Sequence, residues 1–411
     1  MGPDFGAIRC RSWVVGALAV GAVALLPGAA SAAFPGLDGA IVYQSSQTGI
    51  EPCSPFTSSE LFTVSPSGGP VHQIDCNGHT DQHPFVSPDG TEVVFSSNRS
   101  GGSGAFQLYT DSLASSGSPV DVSYPPNAGV DDYPSWAPGS QGTIIFQRTV
   151  PGGSPQLYLE NVNTPSSPAS PVFSTPTGFS DTQPIFDPSD PHEIAFVRQA
   201  PGGPQQIFTY NLTTPGVPPV NLSRADGDGS SNDSKPDFAP SPTGSPGTQL
   251  IAFQSDRPSS SAADGPCVGT QLYTMSDQSG SPVSPVFQVF AGSPLAPTGQ
   301  QSCPKANGSE VATENPVFSP QGDEIAFDEP GPNSQNVFTF AVSVADGAAR
   351  ASTASDLTPN FSTDEAPSWV PLLPGASTPE VPQSIFLPLA GMGVFGAVGL
   401  LAVRRRRAID K

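Results

Sequence analysis

The chain has little of what most enzymes work with. Only 12% of its 411 residues are charged, and it holds 5 cysteines, 3 tryptophans and 4 histidines. With His72, His79, His83 and His192 as the whole supply, catalytic triads and histidine-rich metal cages have little to draw on. No G-x-S-x-G nucleophile elbow occurs. Basic residues are scarce as well, 15 against 36 acids, and seven of the bases but only two of the acids lie in the terminal segments. The body between them carries 34 acids and 8 bases, a net charge of −26. A field of that sign repels phosphate backbones and argues against nucleic acid as a partner; it favours cationic ones.

Turn chemistry, by contrast, is plentiful. Fifty prolines and 43 glycines fall at regular intervals between β-branched and aromatic triplets. That spacing reads as turn punctuation in an all-β protein. Six copies of one pattern organise the chain: Asp81-Gln-His-Pro84, Asp131-Asp-Tyr-Pro134, Asp181-Thr-Gln-Pro184, Asp233-Ser-Lys-Pro236, Thr313-Glu-Asn-Pro316 and Asp364-Glu-Ala-Pro367. Their prolines are 50, 50, 52, 80 and 51 residues apart. A period near 50 is that of a β-propeller blade of four short strands.

Each D-x-x-P segment (strand a) is followed by a turn and an apolar triplet (strand b), such as Val93-Val-Phe95 or Ile144-Ile-Phe146. All three residues are apolar, so this strand is expected to be buried on both faces between neighbouring blades. A third strand (c) carries pairs such as Leu108-Tyr109, and a shorter fourth (d) carries pairs such as Pro119-Val120. Strands b, c and d begin with Ile41, before any strand a, and the last strand a, Pro367-Ser-Trp-Val370, has nothing after it. The expected fold is an all-β, six-bladed propeller, closed by pairing the C-terminal strand with the N-terminal three.

The ends carry different signals. Arg9 and Arg11, the apolar run Val14 to Leu26 and Ala30-Ser31-Ala32 read as a cleaved secretory signal over residues 1–32. Residues 33–370 form the propeller, 371–384 a Pro-rich linker, and 385–403 an uncharged transmembrane helix of 19 residues. The tail 404–411 opens with Arg404 to Arg407, which marks it as cytoplasmic. The expected location is the cell membrane, with a single pass and the large domain outside. The ending also resembles bacterial surface proteins that close on a Pro-Glu dipeptide, here Pro379-Glu380, an apolar helix and arginines.

The pattern D-x-x-P-x-[F/W]-[S/A]-P, then P-D-G, then I-A-F, then L-Y resembles the TolB-like propeller repeat, most closely over Asp81 to Arg99. The resemblance covers residues 38 to 370 and implies the fold; that fold serves many functions. With so few histidines to build a catalytic site, the expected function is that of a non-catalytic binding module at the bacterial cell envelope, with an envelope protein or surface ligand as partner and no cofactor. The alternative is a propeller lyase or hydrolase with its site at the channel mouth.

The candidate sites are few. Asp81, Asp131, Asp181, Asp233 and Asp364 could each fix a corner as an Asx-turn, or together ring the channel mouth with carboxylates, broken by Thr313. Arg99, Arg148, Arg198 and Arg257 end four b strands and are read as partners of these acids or as edge charges. Cys76, His79, Asp81 and His83 have zinc-ligand chemistry, but Cys76 is better used in a disulfide. Asp226, Asp228, Ser230, Asn232 and Asp237 alternate as in a calcium loop that lacks its glycine. In an exported protein the four remaining cysteines are expected as Cys53–Cys76 and Cys267–Cys303. The long loops near 45–59 and 255–270, on the same face as the aspartates, are the expected docking surface.

Overall fold

The computed structural model describes residues 34 to 372 apart from 48–57, 76, 101–104, 115–117, 125–128, 141, 165–166, 224–229, 241–248, 258–268, 278–286, 290–304, 307–308, 311, 331–333, 343–353 and 360–361. The two cysteine pairs, the signal segment 1–32 and the helix 385–403 therefore lie outside the described residues. Among the described residues no helix is long and apolar enough to cross a membrane.

Six four-stranded antiparallel sheets form the ring. Blade 1 joins strand a (Asp364–Leu372) to b (Leu37–Ser45), c (Glu60–Val64) and d (His72–Gln73). The C-terminal strand thus closes the propeller on the N-terminal three, with Trp369 opposite Ile41 and Ser368 opposite Val42. It runs to Leu372, two residues into the expected linker. Blade 2 is Asp81–Val86, Glu92–Ser97, Gln107–Ser112 and Val120–Asp121. Blades 3 and 4 begin at Val130–Trp136 and Ser180–Asp187, and blades 5 and 6 at Asp233–Phe238 and Glu314–Phe318. The long interval between blades 5 and 6 holds a small extra hairpin, Lys305–Ala306 with Ser309–Glu310, which the repeat pattern does not announce.

The b triplets sit where two-sided burial requires. Val93, Val94, Phe95, Ile144, Ile145 and Phe146 are all fully buried. Neighbouring residues of a triplet serve opposite interfaces: Val93 and Phe95 pack with Val42 and Leu61 of blade 1, whereas Val94 packs with Trp136 and Phe146 of blade 3. Six apolar clusters result, one per pair of adjacent blades, including the 6–1 seam where Tyr43 and Trp369 meet Ala326 and Val337. The core is therefore a ring of interfaces rather than a single centre.

Phe34 is a further core residue that the repeat does not predict. It is buried, joins the cluster of blades 2 and 3, and meets Phe85 edge-on with ring centroids 6.4 Å apart.

Candidate functional site: the channel ring

Strand a of every blade carries a β-bulge inside D-x-x-P. In blade 2, Gln82 faces Ser96 but Phe85 already faces Val94, so strand a holds one extra residue. The same shift recurs in the other five blades. The residue before each proline, namely His83, Tyr133, Gln183, Lys235, Asn315 or Ala366, has φ between 49° and 54°. Left-handed geometry disfavours every non-glycine residue, so six copies mark a demand of the architecture. Proline suits the next position because it has no N–H to leave unpaired at a bulge.

The N–H groups of these residues are captured by side chains, mostly from the preceding blade. Gln44, Gln147 and Gln254 accept from His83, Gln183 and Asn315 at 2.9, 3.1 and 2.8 Å. Asp328 accepts from Ala366 at 3.3 Å. Where strand b offers only Ser96 or Val197, a substitute appears: Asp132 accepts from Tyr133, and Gln183 from Lys235. These bonds tie neighbouring blades together at the channel.

The five aspartates form no open ring of carboxylates. Each is at most 1% exposed, and none lines the channel cavity. Asp131 receives two 2.6 Å bonds from Arg148, and Asp181 is held likewise by Arg198 at 2.6 and 2.8 Å. Asp81 pairs with Arg99 at 2.8 Å and Asp233 with Arg257 at 2.6 Å. Asp364 accepts from the Ser45 and Ser362 hydroxyls. The corner is thus fixed by side chains of strand b and its exit rather than by local Asx-turns. Each guanidinium also lies over aromatic rings of strands b and c, as Arg99 does over Phe95 and Tyr109 at 5.1 and 4.9 Å.

The cation-binding candidates come apart. Asp81 is taken by Arg99, while His83 turns to Asp132 in blade 3, with Nδ1 2.7 Å from Oδ1. Among the described residues no group of three or more His, Cys, Asp or Glu could hold a metal ion. Of the calcium-loop residues, Asp226 and Asp228 lie outside the described residues, Asn232 bonds Asp256, and Asp237 sits in the channel.

What does converge on the axis is the variable part of D-x-x-P. A cavity of about 100 Å³ is lined by the six residues before the prolines, the six prolines, and Phe85, Ile185, Asp237 and Val317. On one side of its rim the His83 ring stacks on Tyr133 at 3.7 Å. Lys235 reaches from blade 5 to Tyr133, with Nζ 2.8 Å from the hydroxyl and 4.1 Å from the ring centre. Burial, opposed by Asp132, lowers the pKa of His83, so its neutral ring donates Nδ1–H to Asp132. Burial raises the pKa of Asp132, but His83, the Ser96 hydroxyl and the Tyr133 N–H outweigh it and hold that carboxyl ionised. Among the described residues the Nε2 of His83, the amide nitrogen of Gln183 and two Lys235 protons have no hydrogen-bond partner. These residues occupy the "x" positions, so a repeat pattern drops them. The signal available was that they differ between blades while their flanks do not.

No family model matches the chain, and no curated protein matches it. Solved structures do. TolB from Acinetobacter baumannii superposes with TM-score 0.52 at 16% identity, over 81% of this chain and 67% of that one. Hydrazine synthase of Kuenenia stuttgartiensis gives 0.55 at 14% identity, over 84% of this chain and 48% of the enzyme. A putative TolB from Agrobacterium tumefaciens gives 0.49 at 14% identity, over 82% of this chain and all of that one. At these identities the likeness is one of fold: the chain is a six-bladed β-propeller, the fold it shares with TolB.

Proposed function

We propose that the protein is a non-catalytic binding module whose partner docks at the channel mouth. One observation carries this reading: on a scaffold that repeats its corners six times, three of the six positions facing the axis, His83, Gln183 and Lys235, present polar groups with no protein hydrogen bond among the described residues. The repeated positions hold the ring together; the unrepeated ones are left to recognise something. The sequence signals at both ends extend the proposal to a module exported by residues 1–32 and tethered through 385–403 at the bacterial envelope. The partner is then an envelope protein or surface ligand.

An enzymatic reading has one observation of its own. The His83–Asp132 pair leaves Nε2 free as a base beside the cavity. No serine or cysteine nucleophile bonds it among the described residues, so the pair serves here as a recognition element.

The test is photo-crosslinking in living cells. A photoreactive residue is placed at Thr363, exposed beside the mouth, or at Asp89 in an a–b turn of the opposite face. Discrete adducts from Thr363 that Lys235→Ala removes support the reading. Adducts only from Asp89, or adducts indifferent to Lys235→Ala, overturn it.

A further inference from the structure

The residue after each channel proline alternates in character around the ring. Phe85, Ile185 and Val317 in blades 2, 4 and 6 are apolar; Ser368, Ser135 and Asp237 in blades 1, 3 and 5 are polar. The three polar residues do one shared job. Each accepts a backbone N–H of the next blade: Val86 to Ser368 at 3.1 Å, Phe186 to Ser135 at 3.3 Å, and Phe318 to Asp237 Oδ2 at 2.8 Å.

A hydroxyl does this job in two of the three places, so stitching the ring does not explain a carboxyl in the third. Asp237 is only 3% exposed and lines the cavity. Among the described residues its Oδ1 has no hydrogen-bond partner. Burial raises its pKa to about 8, and only the Phe318 N–H acts to lower it. Lys235, two residues upstream, could neutralise it but is held on Tyr133. The fold therefore keeps in an apolar wall an acid that holds its proton near neutral pH, and a cation brought against it would favour its charged form.

We propose that the axial cavity receives a primary ammonium group on a narrow apolar stem, with Asp237 as its anchor. This rests on the reading of the channel mouth as the binding site and names the chemistry of what enters. Phe85, Ile185, Val317 and the proline belt supply the apolar wall for the stem. A dry cavity of about 150 Å³ admits benzene, so the smaller one here, about 100 Å³, suits a slimmer butyl-length chain. The acidic body concentrates such cations at the mouth. A lysine side chain of a partner and a free alkylamine share this chemistry.

Isothermal titration of the purified full chain with n-butylammonium tests it, with n-butanol and n-butyrate as neutral and anionic controls. The ammonium is expected to bind one to one and both controls far more weakly. Asp237→Ser copies blades 1 and 3 and keeps the acceptor; it is expected to weaken ammonium binding at least tenfold while the protein stays folded. Asp237→Asn is the nearer isostere if the serine variant does not fold. No ammonium binding by the wild type, equal binding by a folded Asp237 variant, or equal binding of butanol overturns the proposal. A lysine peptide and its Nε-acetylated form separate the sources: loss on acetylation indicates a partner's lysine, whereas butylammonium binding alone indicates a small amine. If Thr363 crosslinks survive in Asp237→Ser and the ammonium does not bind, the docking face stands and this proposal alone falls.

Discussion

Blades 2 to 5 and the seam pair, blades 6 and 1, build the same corner from different chemistry. In the first group a buried aspartate of strand a meets an arginine that lies over aromatic rings. In blade 6 the aspartate becomes Thr313, with Glu329 at the position that Arg148 and Arg198 hold in their blades. In blade 1 Asp364 accepts from serine hydroxyls. The aromatic pairs persist with no cation over them among the described residues: Phe327 with Phe338 at 5.7 Å and Tyr43 with Phe62 at 6.0 Å. Stacked rings and two-sided b strands are therefore enough to hold a blade. The ion pair is an addition made where a carboxylate would otherwise be stranded.

The largest effect comes from breaking that addition on one side only. Arg148 and Asp131 are both buried, so Arg148→Ala strands a carboxylate and should cost about 3–5 kcal/mol. Adding Asp131→Thr, the residue blade 6 uses, to Arg148→Met should recover most of that loss. Urea unfolding followed by circular dichroism measures both. A double variant as unstable as the single one would show that the arginine braces the blade rather than answering the acid.

The seam's own acids give the next effect, through pH. Burial raises the pKa of Asp328 and Glu329 to about 7, so both hold protons in the folded protein at a pH where the unfolded chain has released them. Their stabilising contribution is full below about pH 4 and is lost as pH rises through 7. For Asp328, fully buried, a rise from 3.8 to about 7 corresponds to a loss on the order of 4 kcal/mol. Thermal unfolding should show a midpoint falling between about pH 4 and 7, with a flatter slope in Asp328→Asn. An unchanged slope would place the linkage elsewhere, for instance at Glu60 or Glu160, also raised to about 7 by burial.

The contrast also marks where sequence reading stops. Strand b was legible because burial on both faces leaves an unbroken apolar triplet, and closure was legible because strand a alone was left over at the C-terminus. The arginine partners were half legible. Arg148 and Arg198 lie two residues beyond the b-strand phenylalanine, whereas Arg99 and Arg257 lie four beyond it. Two spacings deliver one guanidinium position, so the role is fixed by geometry and not by register. The aspartates suggested an exposed acidic ring because composition cannot report burial. Tyr133 and Lys235 were hidden, and His83 and Asp237 were read only as metal-ligand candidates, because a repeat is defined by what recurs, and their chemistry lies in not recurring.

The smallest prediction separates the architecture of the bulge from its use. Ala366, on the seam, has φ 51° with no side chain that could reward the strain. Glycine takes this conformation freely but has more freedom to lose on folding. Because an L-residue in the left-handed region costs on the order of 1 kcal/mol, Ala366→Gly should stabilise the protein slightly, by less than about 1 kcal/mol. His83→Gly shares the backbone gain but forfeits the Asp132 bond and the stack on Tyr133, and should destabilise. Opposite signs for two substitutions at equivalent corners would mean that the fold imposes the bulge on every blade, while only the blades facing the cavity's polar rim have put it to use. If both variants gain stability, the His83–Asp132–Tyr133 assembly contributes nothing to folding and its groups are held for a ligand alone.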